Sequence, residues 1–327
     1  MTLDWGVLGI NETAEVERIS ADLHEHAVRV LRKRGAVVAI SGGVDSGVCA
    51  ALAARAFGSQ RVLALILPER ESSVASTTRA TALADFLGIE PVKADITSTL
   101  EAVGCYKLRD EAIRRVVPGY GPGWRTKIVV AGGMQGRINH FRLVTQSPEG
   151  ATQESRLGLR EYLQIVAATS FKQRVRKMIE YFHADRLNYA VIGTPNRLEY
   201  DQGFFVKNGD GSADIKPIAH LYKSQVYALA RHMGLPAEVA SALPTTDTYS
   251  LPQGQDEFYF SLPYRQMDLA LWALNHGIPE DSVAELLGLS LETIRRVYND
   301  IRAKRRATQY LHAGPRLLGS VPEISTS

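Results

Sequence analysis

The stretch that decides the fold is Ala36-Val37-Val38-Ala39-Ile40, which runs straight into Ser41-Gly42-Gly43-Val44-Asp45-Ser46. The first part is short, apolar and rich in β-branched residues, as a strand buried on both faces should be. The glycines permit a sharp turn with a close backbone approach. Val48 to Ala56 then reads as a helix. A buried strand, a glycine turn and a helix make the opening half of a parallel α/β unit.

The pattern repeats outward from this point. Residues 13–33 place Val16, Ile19, Leu23, Ala27, Val28 and Leu31 at helical spacing, and Gly35 breaks the run. Val62 to Leu67 predicts a second buried strand, stopped by Pro68, and Thr77 to Leu87 a helix that Gly88 ends. Pro91 to Ile96 predicts a third strand, and a long helix around 162–184 precedes a fourth at Tyr189 to Ile192. The reading is an α/β doubly wound parallel sheet with helices on both faces, in which ligands bind beyond the carboxyl ends of the strands.

Two regions break the alternation. Residues 104–158 are rich in Gly, Arg and Gln and read as a long insertion within a main domain of residues 1–262. A hairpin pairing Lys127–Ala131 with Phe141–Thr145 is the one element expected there. Such insertions are lids or binding loops, or take no part in the site. Residues 263–318 predict a helical extension of the same domain, and 319–327 a disordered tail.

Composition narrows the class. Over 327 residues, 45% are apolar and 22% charged, which fits an ordinary globular chain. A formal charge of +3 is too small to argue for nucleic acid. Two cysteines exclude a disulfide framework and a cysteine-rich metal site, and point to a reducing compartment. Neither a signal peptide nor a run of about 20 apolar residues is present, so the expectation is a cytoplasmic enzyme.

The chemistry starts at Ser41-Gly42-Gly43-Val44-Asp45-Ser46, which lies where a phosphate loop must lie. Ser41 and Ser46 add hydroxyls, Asp45 can hold Mg²⁺ against phosphates, and no lysine follows as in a Walker A loop. The plain alternative is a glycine-rich turn with Asp45 or Ser46 as helix cap. This hexapeptide resembles the pyrophosphate loop of the N-type ATP pyrophosphatases. These enzymes transfer AMP to an oxygen, release pyrophosphate and let a nucleophile displace AMP.

A second segment narrows the resemblance. Gly193-Thr194-Pro195-Asn196-Arg197-Leu198-Glu199 is followed by Gly203-Phe204-Phe205-Val206-Lys207-Asn208-Gly209-Asp210-Gly211-Ser212-Ala213-Asp214, and then by Leu221-Tyr222-Lys223. This is similar to the NAD synthase pattern, and the likeness extends to Pro244-Thr245-Thr246-Asp247, Gln255-Asp256-Glu257, Tyr264, Asp268 and the 285–306 tail. The resemblance implies Mg²⁺ ligands at Asp45 and Glu199, and ATP contacts at Ser41, Gly42, Gly43, Asp45, Ser46, Thr194, Lys223 and Thr245. It places Asp210 by the incoming ammonia, with Lys223 and Asp45 as its catalytic companions. Arg174, Phe204, Lys207 and Asp214 become contacts to the acid substrate. Plain turn, surface and core roles are the alternatives for Asp210, for Lys207 with Asp214, and for Phe204.

What the resemblance implies is an ammonia-dependent ligase: ATP adenylates deamido-NAD, and ammonia displaces AMP to give NAD. It also implies a homodimer. Two departures touch the acceptor and not ATP. The family's Asn-Ile-x-Ala-Arg-x-Arg helix reads Ser170-Phe171-Lys172-Gln173-Arg174-Val175-Arg176 here, and the 104–158 insertion lies beside it. A related amide ligase acting on a different carboxylic acid therefore stays open. Since no nitrilase-like segment with a nucleophilic cysteine precedes the loop, the ammonia is expected to be free or supplied by a separate glutaminase. Residues 281–306 also carry a helix-turn-helix look with basic Arg302, Lys304, Arg305 and Arg306. DNA binding, or a non-catalytic nucleotide-binding role, is the remaining and weaker reading.

Overall fold

The computed structural model describes residues 3–131, 140–244, 249–254, 259–260, 262–319 and 321. Strands β1 (Ala36–Ala39), β2 (Val62–Ile66), β3 (Pro91–Lys93) and β7 (Ala190–Ile192) form a parallel sheet in the order β3-β2-β1-β7. The chain winds from β1 outward to β3, then returns to the other side of β1 as β7. Register pairs Ala36 with Val62 on one side and with Ala190 on the other. This reversal makes the β1/β7 border a switch point, and a crevice opens at its carboxyl end.

Alternation along the strands splits the core into two layers. Ala36, Val38 and Ile40 pack with Val62, Ala64 and Ile66 against helix α2 (Val44–Phe57). Val37, Leu65 and Val191 point the other way, toward helix α6 (Leu159–Leu187). Both faces are covered, which is why the strands read as unbroken apolar runs. Each Val or Leu buried here contributes about 1.5–3 kcal/mol.

The expected helices are present with shifted ends. Helix α1 spans Glu12–Glu25, capped by Asn11 Oδ1 accepting from Ala14 N at 3.0 Å, and continues as a π-turn over His26–Val30. Helix α2 starts four residues earlier than its apolar spacing suggests, because Val44 already joins the buried layer. Helix α3 covers Val74–Phe86, with Ser73 as its cap. Past residue 263 come helices α10 (Tyr264–Asn275), α11 (Glu280–Leu287) and α12 (Leu291–His312), which share a separate core with Leu8 and Phe260. Residues 320 and 322–327 of the expected tail lie outside the described residues.

The described residues of the 104–158 region form a subdomain of their own. After helix α4 (Thr97–Ala102), it opens with helix α5 (Cys105–Val116). An antiparallel sheet follows, made of β4 (Arg125–Ala131), β5 (His140–Gln146) and β6 (Thr152–Arg156). The hairpin expected at 127–131 and 141–145 is there, with Lys127 opposite Val144, and it runs longer at both strands. A weak apolar pattern hides α5 and β6: to the local core that Ile128, Leu143 and Ile165 complete, α5 gives only Ala112 and Ile113 as fully buried members, and no residue of β6 is buried.

Candidate active site

Three helix N-termini converge where the strands end. β1 leads into Ser41 and the start of α2. β7 leads into Thr194 and helix α7 (Arg197–Gln202), and helix α8 (Lys223–His232) begins with Lys223. Exposed N–H groups and dipoles of helix starts favour anions. The loop is folded on its own hydroxyls: Gly43 N donates to Ser41 Oγ at 3.3 Å, and Ser46 Oγ donates to the Gly43 carbonyl at 3.0 Å. Gly42 holds φ at +84°, and a Cβ there would lie 2.3 Å from the Ser76 carbonyl oxygen, so only glycine fits.

Asp45, Glu199 and Lys223 meet beside this loop. The Lys223 ammonium donates to Asp45 Oδ2, and Asn196 Nδ2 donates to Asp45 Oδ1 at 3.2 Å. Asn196 also caps α7: its Oδ1 accepts from Leu198 N at 3.0 Å and Glu199 N at 3.3 Å, and Glu199 Oε2 accepts from Asn196 N at 3.1 Å. One buried asparagine thus orients both carboxylates. Burial works against the Lys223 charge, but Asp45 and Glu199 outweigh it and hold the ammonium above the usual lysine range. The thiol of Cys49, one turn behind Asp45, is pushed up by burial and then by the same two carboxylates.

A further carboxylate fixes the lysine from behind. Asp268 on α10 accepts from Lys223 N at 3.1 Å and from Ser224 N at 2.7 Å, capping α8. Burial pushes Asp268 up to about 6 against those bonds. The likeness at Asp268 thus marks a support for Lys223 buried inside the fold.

Asp45, Glu199 and Lys223 line a cavity of about 1010 Å³ that also takes in Ser41, Gly43, Ser46, Thr194, Phe204 and Asp210. Asp210 sits in a turn where Gly209 packs on α6, a Cβ on that glycine falling 2.9 Å from Gln173 Cβ. Its Oδ1 accepts from Val206 N at 2.7 Å, and burial raises its carboxyl despite nearby Lys177. Phe204 stacks on Tyr259 with centroids 4.6 Å apart.

Three expected substrate contacts do not reach the cavity wall. Lys207 Nζ donates to the carbonyls of Tyr310 at 2.7 Å and Ala313 at 2.9 Å, at the end of α12. Asp214 Oδ2 accepts from Val191 N at 2.8 Å, finishing β7. Arg174 Nε donates to the Lys207 carbonyl at 3.3 Å. Thr245, Thr246, Asp247, Gln255, Asp256 and Glu257 lie outside the described residues.

Several cavity residues escaped the sequence reading. Arg79 Nε donates to the Gly42 carbonyl at 3.1 Å, tying α3 to the phosphate loop. Lys177 and Glu180 form a buried pair at 2.6 Å on the cavity face of α6. No motif marks them; the only signal is charge at the buried spacing of α6. Two of the four basic tail residues are occupied internally. Lys304 Nζ donates to Asp300 at 2.5 Å and to the Tyr259 carbonyl, and Arg305 Nε donates to Asp201 at 2.6 Å. That leaves Arg302 and Arg306 exposed, half of the basic stripe, for a phosphate backbone.

Residues 15–120 and 141–309 match the family model described as NAD synthase, leaving only 121–140 of the insertion outside it. The NH(3)-dependent NAD(+) synthetase of Rhizobium meliloti (strain 1021) is 56% identical over 97% of this chain and 95% of its own length. That of Thermotoga maritima (strain ATCC 43589 / DSM 3109 / JCM 10099 / NBRC 100826 / MSB8) is 37% identical over 74% of this chain and 80% of its own. In fold, the chain is similar to the NH3-dependent NAD synthetase from Campylobacter jejuni subsp. jejuni NCTC 11168 in complex with the nitrate ion. The TM-score is 0.61 at 22% identity, covering 95% of this chain and all of that one. Loop, carboxylates and lysine are thus set in the frame those relatives share, and the chain belongs to the NAD synthase family.

Proposed function

We infer that this chain is an ammonia-dependent NAD synthase, a C–N ligase in which ATP adenylates the carboxylate of deamido-NAD and ammonia then displaces AMP. The observation that carries it is the Asp45–Lys223–Asn196–Glu199 cluster at the Ser41 loop, in a chain 56% identical to an NH(3)-dependent NAD(+) synthetase.

Adenylation gathers negative charge between the attacking carboxylate and the α-phosphate. Lys223, held charged by its neighbours and backed by Asp268, stabilises that charge more in the transition state than before it. Ser41, Gly43, Ser46 and the start of α2 take the departing pyrophosphate, with Gly42 shaping the loop and Thr194 and Thr245 completing the ATP contacts. Asp45 and Glu199 would hold Mg²⁺, since two carboxylates oriented by one asparagine suit a hard cation. Held there, it would supply charge neutralisation for the triphosphate. Asp210 is the proton acceptor for ammonium: its raised carboxyl brings it nearer in basicity to the amine it must deprotonate.

Phe204 offers its ring to the nicotinate. Arg174, Lys207 and Asp214 serve the acceptor by fixing the Val206–Asp214 turn. A homodimer is supported by Met178 and Phe182, 61% and 62% exposed on α6. No helix among the described residues is long and apolar enough to cross a membrane, and we place the enzyme in the cytoplasm, using free or partner-supplied ammonia. The test is pyrophosphate release with ATP, Mg²⁺ and ammonia, adding deamido-NAD or a panel of other carboxylic acids. Release with another acid and none with deamido-NAD would reject the substrate while keeping the chemistry.

A further inference from the structure

We propose that the β4–β6 subdomain builds an aromatic shelf at the far end of the cavity, and that this shelf takes the adenine ring of the acceptor dinucleotide. The proposal rests on the NAD synthase reading and deepens it.

Phe141 and Tyr162 both line the cavity that holds the phosphate loop. Phe141 stands two residues before Leu143 on β5, so both point to the same face. Tyr162 lies in the first turn of α6. Their rings stack at 3.8 Å with 15° between planes, and behind them lie the buried Ile128, Leu143 and Ile165. Tyr249, also on the cavity wall, is only 5% exposed. It is set there by the outer edge of β4. Thr126 N donates to Ser250 Oγ at 2.8 Å, Leu251 N to the Thr126 carbonyl at 3.1 Å, and Gln253 Nε2 to the Ile128 carbonyl at 2.5 Å. An edge strand would otherwise show open N–H and C=O groups. Here they hold the segment that delivers a tyrosine to the cavity.

Position along α6 selects the ligand. Arg176 Nε donates to the Leu67 carbonyl at 3.1 Å, so that turn of α6 marks the strand ends. Tyr162 lies 14 residues earlier, about 21 Å away at 1.5 Å per residue. The reacting carboxylate must meet ATP's α-phosphate at the Ser41 loop, so a ring on the shelf belongs to the opposite end of a long substrate. Deamido-NAD carries adenine there. Flat, uncharged rings on a rigid apolar backing suit the face of a purine.

ATP carries the same ring, and the experiment separates the two sources. Phe141→Leu and Tyr162→Leu keep apolar bulk and remove the π-face, while Tyr162→Phe keeps the ring. We expect each Leu variant to raise KM for deamido-NAD about tenfold, with kcat, KM for ATP and melting temperature unchanged and Tyr162→Phe like wild type. The Ki of nicotinic acid mononucleotide, which has the carboxylate but no adenine, should not move. An unchanged KM for deamido-NAD, an equal rise in that Ki, or a rise confined to KM for ATP each overturns the proposal. A wild-type enzyme inactive on deamido-NAD instead rejects the substrate reading itself.

Discussion

The two ends of the cavity are built in different ways. At the phosphate-loop end, the groups that meet come from three short segments, each a strand end flowing into a helix start. At the shelf end they come from β4, β5, the first turn of α6 and residues 249–254, and the hydrogen bond from Thr126 to Ser250 spans 124 positions. The first end uses charge fixed by helix termini. The second uses apolar rings fixed by an antiparallel edge. On the proposed reading, the adenylation chemistry belongs to the first end and the choice of acid to the second.

That contrast is sharpest in the carboxylates. Asp45→Asn keeps the shape of the loop and the Asn196 contact but removes the charge facing Lys223. Pyrophosphate release should fall at least about a hundredfold, the scale of losing one electrostatic contact to a transition state. Glu199→Gln should act alike, and both variants should stay folded, Asp45→Asn with a lowered melting temperature because the buried Lys223 ammonium loses its ion-pair partner. Near-wild-type rates at saturating Mg²⁺ for either variant would remove that residue from the metal site.

A buried ionic network joins the two ends. Lys172 on α6 donates to Glu69 Oε1 at 3.0 Å and to Glu71 Oε2 at 2.7 Å. Arg109 on α5 donates to Glu71 at 2.6 Å, and Tyr106 OH to Glu69 at 2.7 Å. Burial raises the Glu71 carboxyl, but Lys172 and Arg109 more than reverse this and hold it below the usual range. Lys172→Met should leave two buried carboxylates short of charge, costing about 3–5 kcal/mol. A fall in melting temperature on the order of 10 °C is expected. An unchanged melting temperature would show that α5 and α6 are held by apolar packing alone.

Legibility follows the same division. The sheet was readable because both faces are buried, so Val37 and Val38 are apolar alike, and the Ser41 loop because its residues are contiguous. Lys223 is readable only through family likeness, whereas Glu199 follows the carboxyl end of the fourth strand, where it could share a cation with Asp45. Asn196 stood inside the quoted motif, yet its bridging role needs the position of a side chain 151 residues away. Helix α5 is hard to read because it buries only a narrow stripe, and β6 because none of its residues is buried.

Trimming Gly119–Gly136 to a short Gly/Ser loop removes β4 and the edge that carries Ser250. KM for the acid should then rise about tenfold, far more than KM for ATP, because among the described residues the Ser41 loop shares no hydrogen bond with this sheet. Equal rises in both would mean that the subdomain supports the whole cavity. With both values unchanged, the segment would be irrelevant to substrate choice.

The smallest effect is expected at Lys207, where family likeness and geometry point to different jobs. Likeness makes it a contact to the dinucleotide. In the fold its ammonium donates to the Tyr310 and Ala313 carbonyls at the end of α12, the first of which also accepts from Ala313 N at 3.3 Å. Its own carbonyl takes the Arg174 guanidinium at 3.3 Å, so the residue ties the Val206–Asp214 turn to both α6 and α12. Lys207→Met keeps the aliphatic stem and removes the charge. If the tie is its role, stability should fall by about 1 kcal/mol, with a small rise in KM for deamido-NAD from a looser turn and no change in KM for ATP. A tenfold rise in KM for deamido-NAD without loss of stability would return Lys207 to the substrate, with its ammonium leaving α12 when the dinucleotide binds.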